Sequence, residues 1–245
     1  MKNILKGFAL ALSMLSTLPF FRVHNFEKGI NGLAVMFYPL VGALLGGILL
    51  GAYLLLQPYL PLMHLMVVLF FLWIVLTGAL HLDGFSDTLD GLFVSKDRSL
   101  EVMKDPHTGG MGMIFTVAFL IFKASSLIYL ELIWTLPLIL MLSRFNAVIA
   151  IFLLPYLRDN GMSALAKKEF RRRHFFSALV LVGMLLSFFP YIFSLIMMAV
   201  SLITFILIER FFKYRYGGMT GDIYGFLIEV TEIILLNAVI IWNLI

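Results

Sequence analysis

No cysteine occurs among the 245 residues, and only 13% of them are Asp, Glu, Lys or Arg. The first absence excludes a disulfide framework, a thiolate zinc site and a cysteine nucleophile, and it leaves the redox compartment undefined. The second excludes an ordinary soluble domain, in which the charged fraction is about twice as high. What is present instead is apolar: 62% hydrophobic residues, among them 24 phenylalanines, with a mean hydropathy of +1.02. Several apolar runs approach the ~20 residues that cross a bilayer, so the sequence predicts an all-α, polytopic transmembrane helical bundle with the lipid bilayer as its main partner. In such a chain the net charge of +4 reports orientation and gives no ground for a nucleic-acid partner.

Apolar stretches at about 33–57, 60–80, 113–131, 135–157, 175–189, 191–208 and 224–245 predict roughly seven spans. Segment 3–20 is also apolar, but Lys2, Lys6, Arg22 and Lys28 sit on both sides of it, which predicts a re-entrant or interfacial helix. It has the basic start and apolar middle of a signal peptide, yet no small-x-small cleavage site follows, so it is expected to stay. Polar loops around 82–112, 158–174 and 209–223 carry three, six and three Lys/Arg, whereas the turns near Gln57–Pro61, Glu131–Pro137 and Pro190 carry none. By the positive-inside rule the three polar loops face the cytoplasm and the C-terminus faces outward. The run Arg171–His174 is read first as an orientation signal and second as an anion or lipid contact. With no internal repeat or low-complexity tract, residues 1–245 are treated as one integral membrane domain; self-association is left open.

The most informative stretch is HLDGFSDTLDGLF at 81–93. Asp83, Asp87 and Asp90 are spaced i, i+4, i+7, which at ~100° per residue places them within about 60° of one another on a helix face. Three like charges on one face repel unless a cation offsets them, and Mg2+ held jointly with substrate phosphates is the usual offset for oxygen donors. The bland alternative is a solvated acidic face, but the run borders apolar sequence where unpaired carboxylates are expensive. In RSLEVMKDPHTGGMG at 98–112, Glu101 and Asp105 share a helix face and could complete the metal site, Pro106 stops the helix, and the turn from Thr108 to Gly112 offers amides for a phosphate. In YGGMTGDIYGFLIEVTE at 216–232, Thr220 and Asp222 sit among glycines, and Glu229 and Glu232 lie inside the last span. Asp222 alone reads equally well as a helix cap, but a carboxylate at the depth of Glu229 is a functional candidate.

Lys123 and Arg144 are also intramembrane charges. Arg144 suits a phosphate through its planar fork, while Lys123 reads equally as the structural partner of a buried glutamate. His81 and His107 stand beside the acidic motifs as candidate bases or ligands; His24, His64 and His174 read as interfacial.

Taken together, HLDGFSDTLDGL, MKDPHTGGMG and GGMTGDIYG resemble the cobalamin synthase (adenosylcobinamide-GDP ribazoletransferase) family, as do LSTLPF, MFYPLVGALLGG and the LSR at 142–144. The resemblance implies a Mg2+-dependent enzyme of the cell inner membrane, its active face cytoplasmic. A hydroxyl of α-ribazole, or of α-ribazole 5′-phosphate, would attack the cobinamide-bearing phosphorus of adenosylcobinamide-GDP and release GMP. It further implies that Asp83, Asp87 and Asp90 hold the metal, one of them taking the proton, and that Lys104 and Arg144 stabilise the transferring phosphoryl group. His81, Asp105, His107, Gly109, Gly110, Thr220, Asp222 and Glu229 would bind substrate. The chain departs from the family pattern where an arginine is expected shortly after the lysine–aspartate pair and Pro106 and His107 stand instead. A CDP-alcohol phosphotransferase is the nearest chemical rival, but the chain lacks that family's Ala-Arg pair. A transporter lined by Lys123, Arg144, Glu229 and Glu232 is the rival of a different class.

Overall fold

The computed structural model describes residues 2–18, 29–105, 107 and 109–244. The sequence readings of Arg22, His24, Lys28, Pro106 and Thr108 lie outside the described residues. Within them the chain is helical and has no strand: α1 (Lys2–Leu15), α2 (Ile30–Met36), α3 (Tyr38–Leu56), α4 (Leu62–Thr77), α5 (Leu80–Leu92), α6 (Lys96–Val102), α7 (Gly110–Ile128), α8 (Leu136–Leu153), α9 (Met162–Glu169), α10 (Arg172–Leu186), α11 (Tyr191–Tyr216) and α12 (Gly221–Leu244).

Five helical stretches, α3, α7, α8 with the turn before it, α11 and α12, are long and apolar enough to cross a membrane, and α4 with α5 makes a sixth if the pair, bent by 83°, is one span. The seven runs of the sequence reading therefore become five or six. The run at 175–189 falls short because α10 has 15 residues and starts in the arginine-rich turn, so it rises only about 22 Å against a hydrocarbon core of ~30 Å. At 14 residues α1 is also too short to cross, in keeping with the interfacial or re-entrant expectation. Large apolar side chains such as Phe71, Ile121, Ile203 and Leu207 point outward, as lipid-facing positions do.

The bundle is built around α8, buried along 83% of its span. Helix α3 approaches it through Gly46, where a Cβ would stand 2.5 Å from the Leu136 carbonyl oxygen and the Pro137 ring nitrogen, and through Gly42, where a Cβ would overlap the Leu140 carbonyl. This is small-residue packing, which lets two backbones come close where lipid supplies no hydrophobic driving force.

Between α4 and α5 the chain reverses its course through two consecutive left-handed residues, Gly78 at φ +61° and Ala79 at φ +55°; Ala79 is the one non-glycine with positive φ among the described residues. The chain after α1 steadies this break. Thr17 donates its backbone N–H to the Leu76 carbonyl at 2.9 Å and its hydroxyl to the Val75 carbonyl at 2.8 Å, satisfying carbonyls that the end of a helix leaves without partners. Helix α5 thus leaves α4 at a steep angle and carries the aspartates between α7 and α12, where Phe85 lies 4.3 Å from the Phe119 ring and 5.2 Å from the Phe226 ring.

Gly42→Val should force α3 off α8 and lower stability by about 1–3 kcal/mol, the usual cost of overpacking. Gly47→Ala, whose Cβ would meet nothing within 4 Å, should stay within about 0.5 kcal/mol of the parent. Thermal unfolding in detergent, followed by helical circular dichroism, separates the two.

Candidate functional site

The three polar loops meet at one end of the bundle. The segment after α11 is pinned to the segment after α8 by two backbone bonds, from Leu157 N–H to the Met219 carbonyl and from Met219 N–H to the Pro155 carbonyl, both 2.9 Å. Gly218 permits this, because a Cβ there would lie 2.5 Å from the Pro155 oxygen. Thr220 then caps α12: its hydroxyl accepts the Ile223 N–H and donates to Asp222 Oδ2, each at 3.3 Å. Asp222 also takes a charged bond from Arg158 Nη2 at 2.5 Å, and the same nitrogen donates to the Met103 carbonyl at 3.2 Å, so one arginine ties the loop before α7, the loop after α8 and the start of α12.

Helix α5 lies tightly against α12. A Cβ on Gly84 would stand 2.9 Å from the Asp222 backbone, and one on Gly225 2.9 Å from the His81 carbonyl oxygen. That contact gathers the carboxylates. Asp87, half-buried, feels the negative charges of Asp83, Asp222 and Asp90 and the positive charge of Arg158. Asp83 is exposed and lies with His81, Asp222 and Tyr224 in the wall of a cavity of about 320 Å³ between α1, α3, α5, α8, α9 and α12. Helix α9 covers one side, held there by Lys167, whose Nζ donates to the Ile151 carbonyl at 2.7 Å and the Phe152 carbonyl at 3.1 Å. Burial pushes the phenol of Tyr156 above its ordinary value, while a hydrogen bond with Ser163 and the charge of Arg158 act the other way.

Asp90 has a different task. Its two oxygens accept the N–H groups of Gly109 and Gly112, each at 2.7 Å, so it caps α7 from a neighbouring helix. A Cβ on either glycine would overlap the Asp90 carboxylate, which accounts for glycine at 109 and 112 without a ligand. The aspartates share a helix face, and Asp90 among them serves a helix terminus. The Gly109 amide is likewise given to Asp90 and not to a phosphate, while Gly110 stands in open space. Among the described residues no three carboxylate or imidazole donors stand close enough to hold a metal by themselves. Mg2+ takes only one or two protein carboxylates and completes its oxygen shell with water and phosphate, so Asp83, Asp87 and Asp222 fit a cation that arrives with a diphosphate.

The remaining candidates divide. Lys104, Asp105 and His107 are exposed; His107 bonds Asp105 through its backbone N–H at 3.0 Å and its ring at 2.7 Å, holding that carboxyl below the usual range and leaving it no part in the carboxylate cluster. Arg144 and Glu229 are paired inside the bundle. Both are buried, Arg144 fully, in a quartet in which Lys123 bonds Glu229 at 2.6 Å and also Glu232, and Arg144 bonds Glu232 and, at 2.9 Å, the Ser143 hydroxyl. The structural reading of Lys123 holds; Arg144 and Glu229 share the same pairing, and Nε and Nη2 of Arg144 are buried with no hydrogen-bond partner among the described residues. Arg158 was missed by the sequence reading: its signal was present in the RDN at 158–160, but among six basic residues of that loop it was counted only for orientation.

Fold and site together define a polytopic helical membrane protein that closes its polar loops over a carboxylate-rich pocket at one end of the bundle. Residues 7–240 match the family model described as CobS, cobalamin-5-phosphate synthase, and the chain belongs to that family. It is 38% identical to an adenosylcobinamide-GDP ribazoletransferase of Stutzerimonas stutzeri (strain A1501), over 91% of this chain and 93% of the relative. Proteins with the same designation from Treponema denticola and Pseudomonas aeruginosa are 32% and 34% identical, over 95% and 97% of this chain and 96% and 99% of theirs. No solved structure matches.

Removing one member of the quartet strands a buried charge. Lys123→Met should therefore cost about 3–5 kcal/mol, and Lys123→Met with Glu229→Met, which leaves Arg144 and Glu232 paired, should recover most of it. A double-mutant cycle on thermal unfolding measures the difference.

Proposed function

We propose that the chain transfers the cobinamide phosphate of adenosylcobinamide-GDP to α-ribazole or α-ribazole 5′-phosphate, releasing GMP and forming adenosylcobalamin or its 5′-phosphate, in the last steps of coenzyme B12 assembly. The observation that carries it is the meeting of Asp83 and Asp87 from one family motif with Asp222 from another, beside Arg158, at the mouth of a cavity. In the transfer, the acceptor hydroxyl oxygen forms a bond to the cobinamide-bearing phosphorus, the bond from that phosphorus to the bridging oxygen breaks, and that oxygen leaves with GMP. The proton of the hydroxyl goes to a carboxylate.

Asp83 and Asp87, with Asp222 beside them, are the residues that would hold Mg2+. Bound there, it would neutralise diphosphate charge and polarise the reacting phosphorus. Asp83, in the cavity wall, is placed to take the proton from an acceptor seated inside. Arg158 stands beside the carboxylates as a cation for phosphate: its Nη2 is held by Asp222 and Met103, and its buried Nε has no partner among the described residues. Asp90 positions the start of α7. The basic loops share the end of the bundle that holds the carboxylates, so by the positive-inside rule this face looks into the cytoplasm of a cell whose inner membrane houses the protein.

The test uses purified protein in nanodiscs with adenosylcobinamide-GDP and α-ribazole, with and without Mg2+. GMP should appear only with Mg2+, one for one with the completed corrinoid. Asp83→Asn and Asp87→Asn should each lower turnover roughly 10²-fold or more with thermal unfolding near that of the parent. Arg158→Lys, which keeps charge but loses the fork, should be impaired less than Arg158→Ala. Near-normal turnover in both aspartate variants would remove the metal assignment.

A further inference from the structure

Helix α11 is longer than a bilayer requires. Its 26 residues rise about 39 Å, against a hydrocarbon core of ~30 Å. With Tyr191 at one interface, the helix leaves the core near Phe211, and its last turns stand in the opposite headgroup layer. Tyr191 and Tyr214, 75% and 91% exposed, are the aromatic anchors expected at those two levels. One face of the helix stays outward up to that point. Ile203, Leu207, Phe211 and Tyr214 follow one another at helical spacing and all are exposed, so a stripe that touches acyl chains continues unbroken into the headgroup region.

There the stripe runs into a depression of about 370 Å³, walled by Phe211, Tyr214, Lys96 and Arg215. Lys96 is exposed and has no ion-pair partner among the described residues. Arg215 is held rigidly: Nε donates to the Tyr216 hydroxyl at 2.8 Å and Nη2 to the Leu92 and Val94 carbonyls, while Nη1 makes no hydrogen bond among the described residues. The surrounding charge is positive. Segments 96–98 and 209–215 bring five Lys/Arg and two carboxylates, and one of the two, Glu209, is already paired with Lys213 at 3.5 Å.

We propose that this depression binds the headgroup of one anionic phospholipid of the bilayer, its phosphate against Lys96 and Arg215 and one acyl chain along Phe211, Leu207 and Ile203. A ligand that satisfies both the cations and the aromatic rim is amphipathic, with a phosphate where the hydrocarbon ends. A free phosphate or nucleotide leaves Phe211 and the stripe below it unused. A choline headgroup carries its own cation to Lys96 and loses the advantage of the phosphate, whereas a phosphatidylglycerol keeps a net negative charge for the basic surroundings to attract. Arg215 belongs at once to the lipid site and to the end of α5, whose carbonyls it serves. A bound headgroup therefore braces the last turn of α5 from the bilayer side and ties α11 to it.

The test titrates the full chain, purified in a neutral detergent, with dioleoylphosphatidylglycerol or dioleoylphosphatidylcholine, and follows retained lipid by native mass spectrometry and stability by thermal unfolding. Phosphatidylglycerol should be retained as a single molecule per chain, at least fivefold more tightly than phosphatidylcholine, and should raise the unfolding temperature. Each Lys or Arg at an anionic surface is worth about fivefold in affinity, so Lys96→Gln should weaken phosphatidylglycerol about fivefold and Lys96→Glu more. Tyr214→Ala should weaken it as well. Lys96 and Tyr214 are both exposed, so without added lipid these variants should unfold with the parent. Arg173→Gln, in the basic turn before α10, should leave retention unchanged. Equal retention of the two lipids, or parental retention in Lys96→Glu, overturns the site. An equal loss in Arg173→Gln also overturns it, because the effect is then the general attraction of a basic surface. Displacement of the lipid by millimolar inorganic phosphate overturns the lipid as occupant.

Discussion

Lys123, Arg144, Glu229 and Glu232 impose the constraint around which the rest of the bundle is arranged. An ionised group within a bilayer is tolerable only beside its counter-charge, so the two cations and two anions hold the three helices that carry them, α7, α8 and α12, in one register. Once α12 is fixed in depth, Gly225 and the start of the helix at Asp222 are fixed too, and α5 can dock against them only through Gly84. The placement of Asp83 beside Asp222 is thus a consequence of charge pairing deeper in the bundle. Ion pairs of this kind contribute little net stability compared with apolar packing, but they penalise every misaligned alternative heavily.

At the polar end a second requirement operates, the satisfaction of helix termini. Asp90 serves the amides at the start of α7, Thr17 the carbonyls at the end of α4, Lys167 those of α8, and Arg215, with bonds of 3.2 and 3.1 Å to the carbonyls of Leu92 and Val94, those at the end of α5. Each cap comes from a different element than the one it serves. Loops that would otherwise move independently become mutual supports, and the family motifs are largely these supports: LSTLP supplies Thr17, GGMG receives Asp90, and GGMTGD carries the close approach of Gly218 and the cap of Thr220.

This division explains what could be read from the sequence. Hydropathy showed the membrane bundle and period 3.6 showed the aspartate face of α5, because both are properties of a single segment. The span count failed at 175–189 because an apolar run does not reveal how much of it remains once a cap and a proline have shortened the helix. The internal pairing of Asp90 and Arg144 was not legible, because their partners, two glycine amides and Glu232, lie 19 to 88 residues away, beyond any local pattern. Arg158 was overlooked for the converse reason, its local context being a basic loop whose other members have nothing to do with the carboxylates. Pairing for Lys123 was legible, since a lysine in an apolar run has few alternatives to a glutamate at similar depth.

A contrast in charge compensation remains between the two halves of the chain's polar inventory. In the quartet two cations match two anions. At the mouth of the cavity Asp83, Asp87 and Asp222 stand together with Arg158 as the basic side chain paired among them, an arrangement whose like-charge repulsion is relieved only from outside. Free energy that the folded chain leaves unrecovered at this point becomes available to whatever brings positive charge and phosphate oxygens to it. The excess carboxylate sits where Asp83 is exposed and the cavity opens, whereas the matched charges are sealed inside. The protein therefore keeps its excess of carboxylate where a cation from solution can offset it, and the cost in stability is confined to a rim that water still reaches.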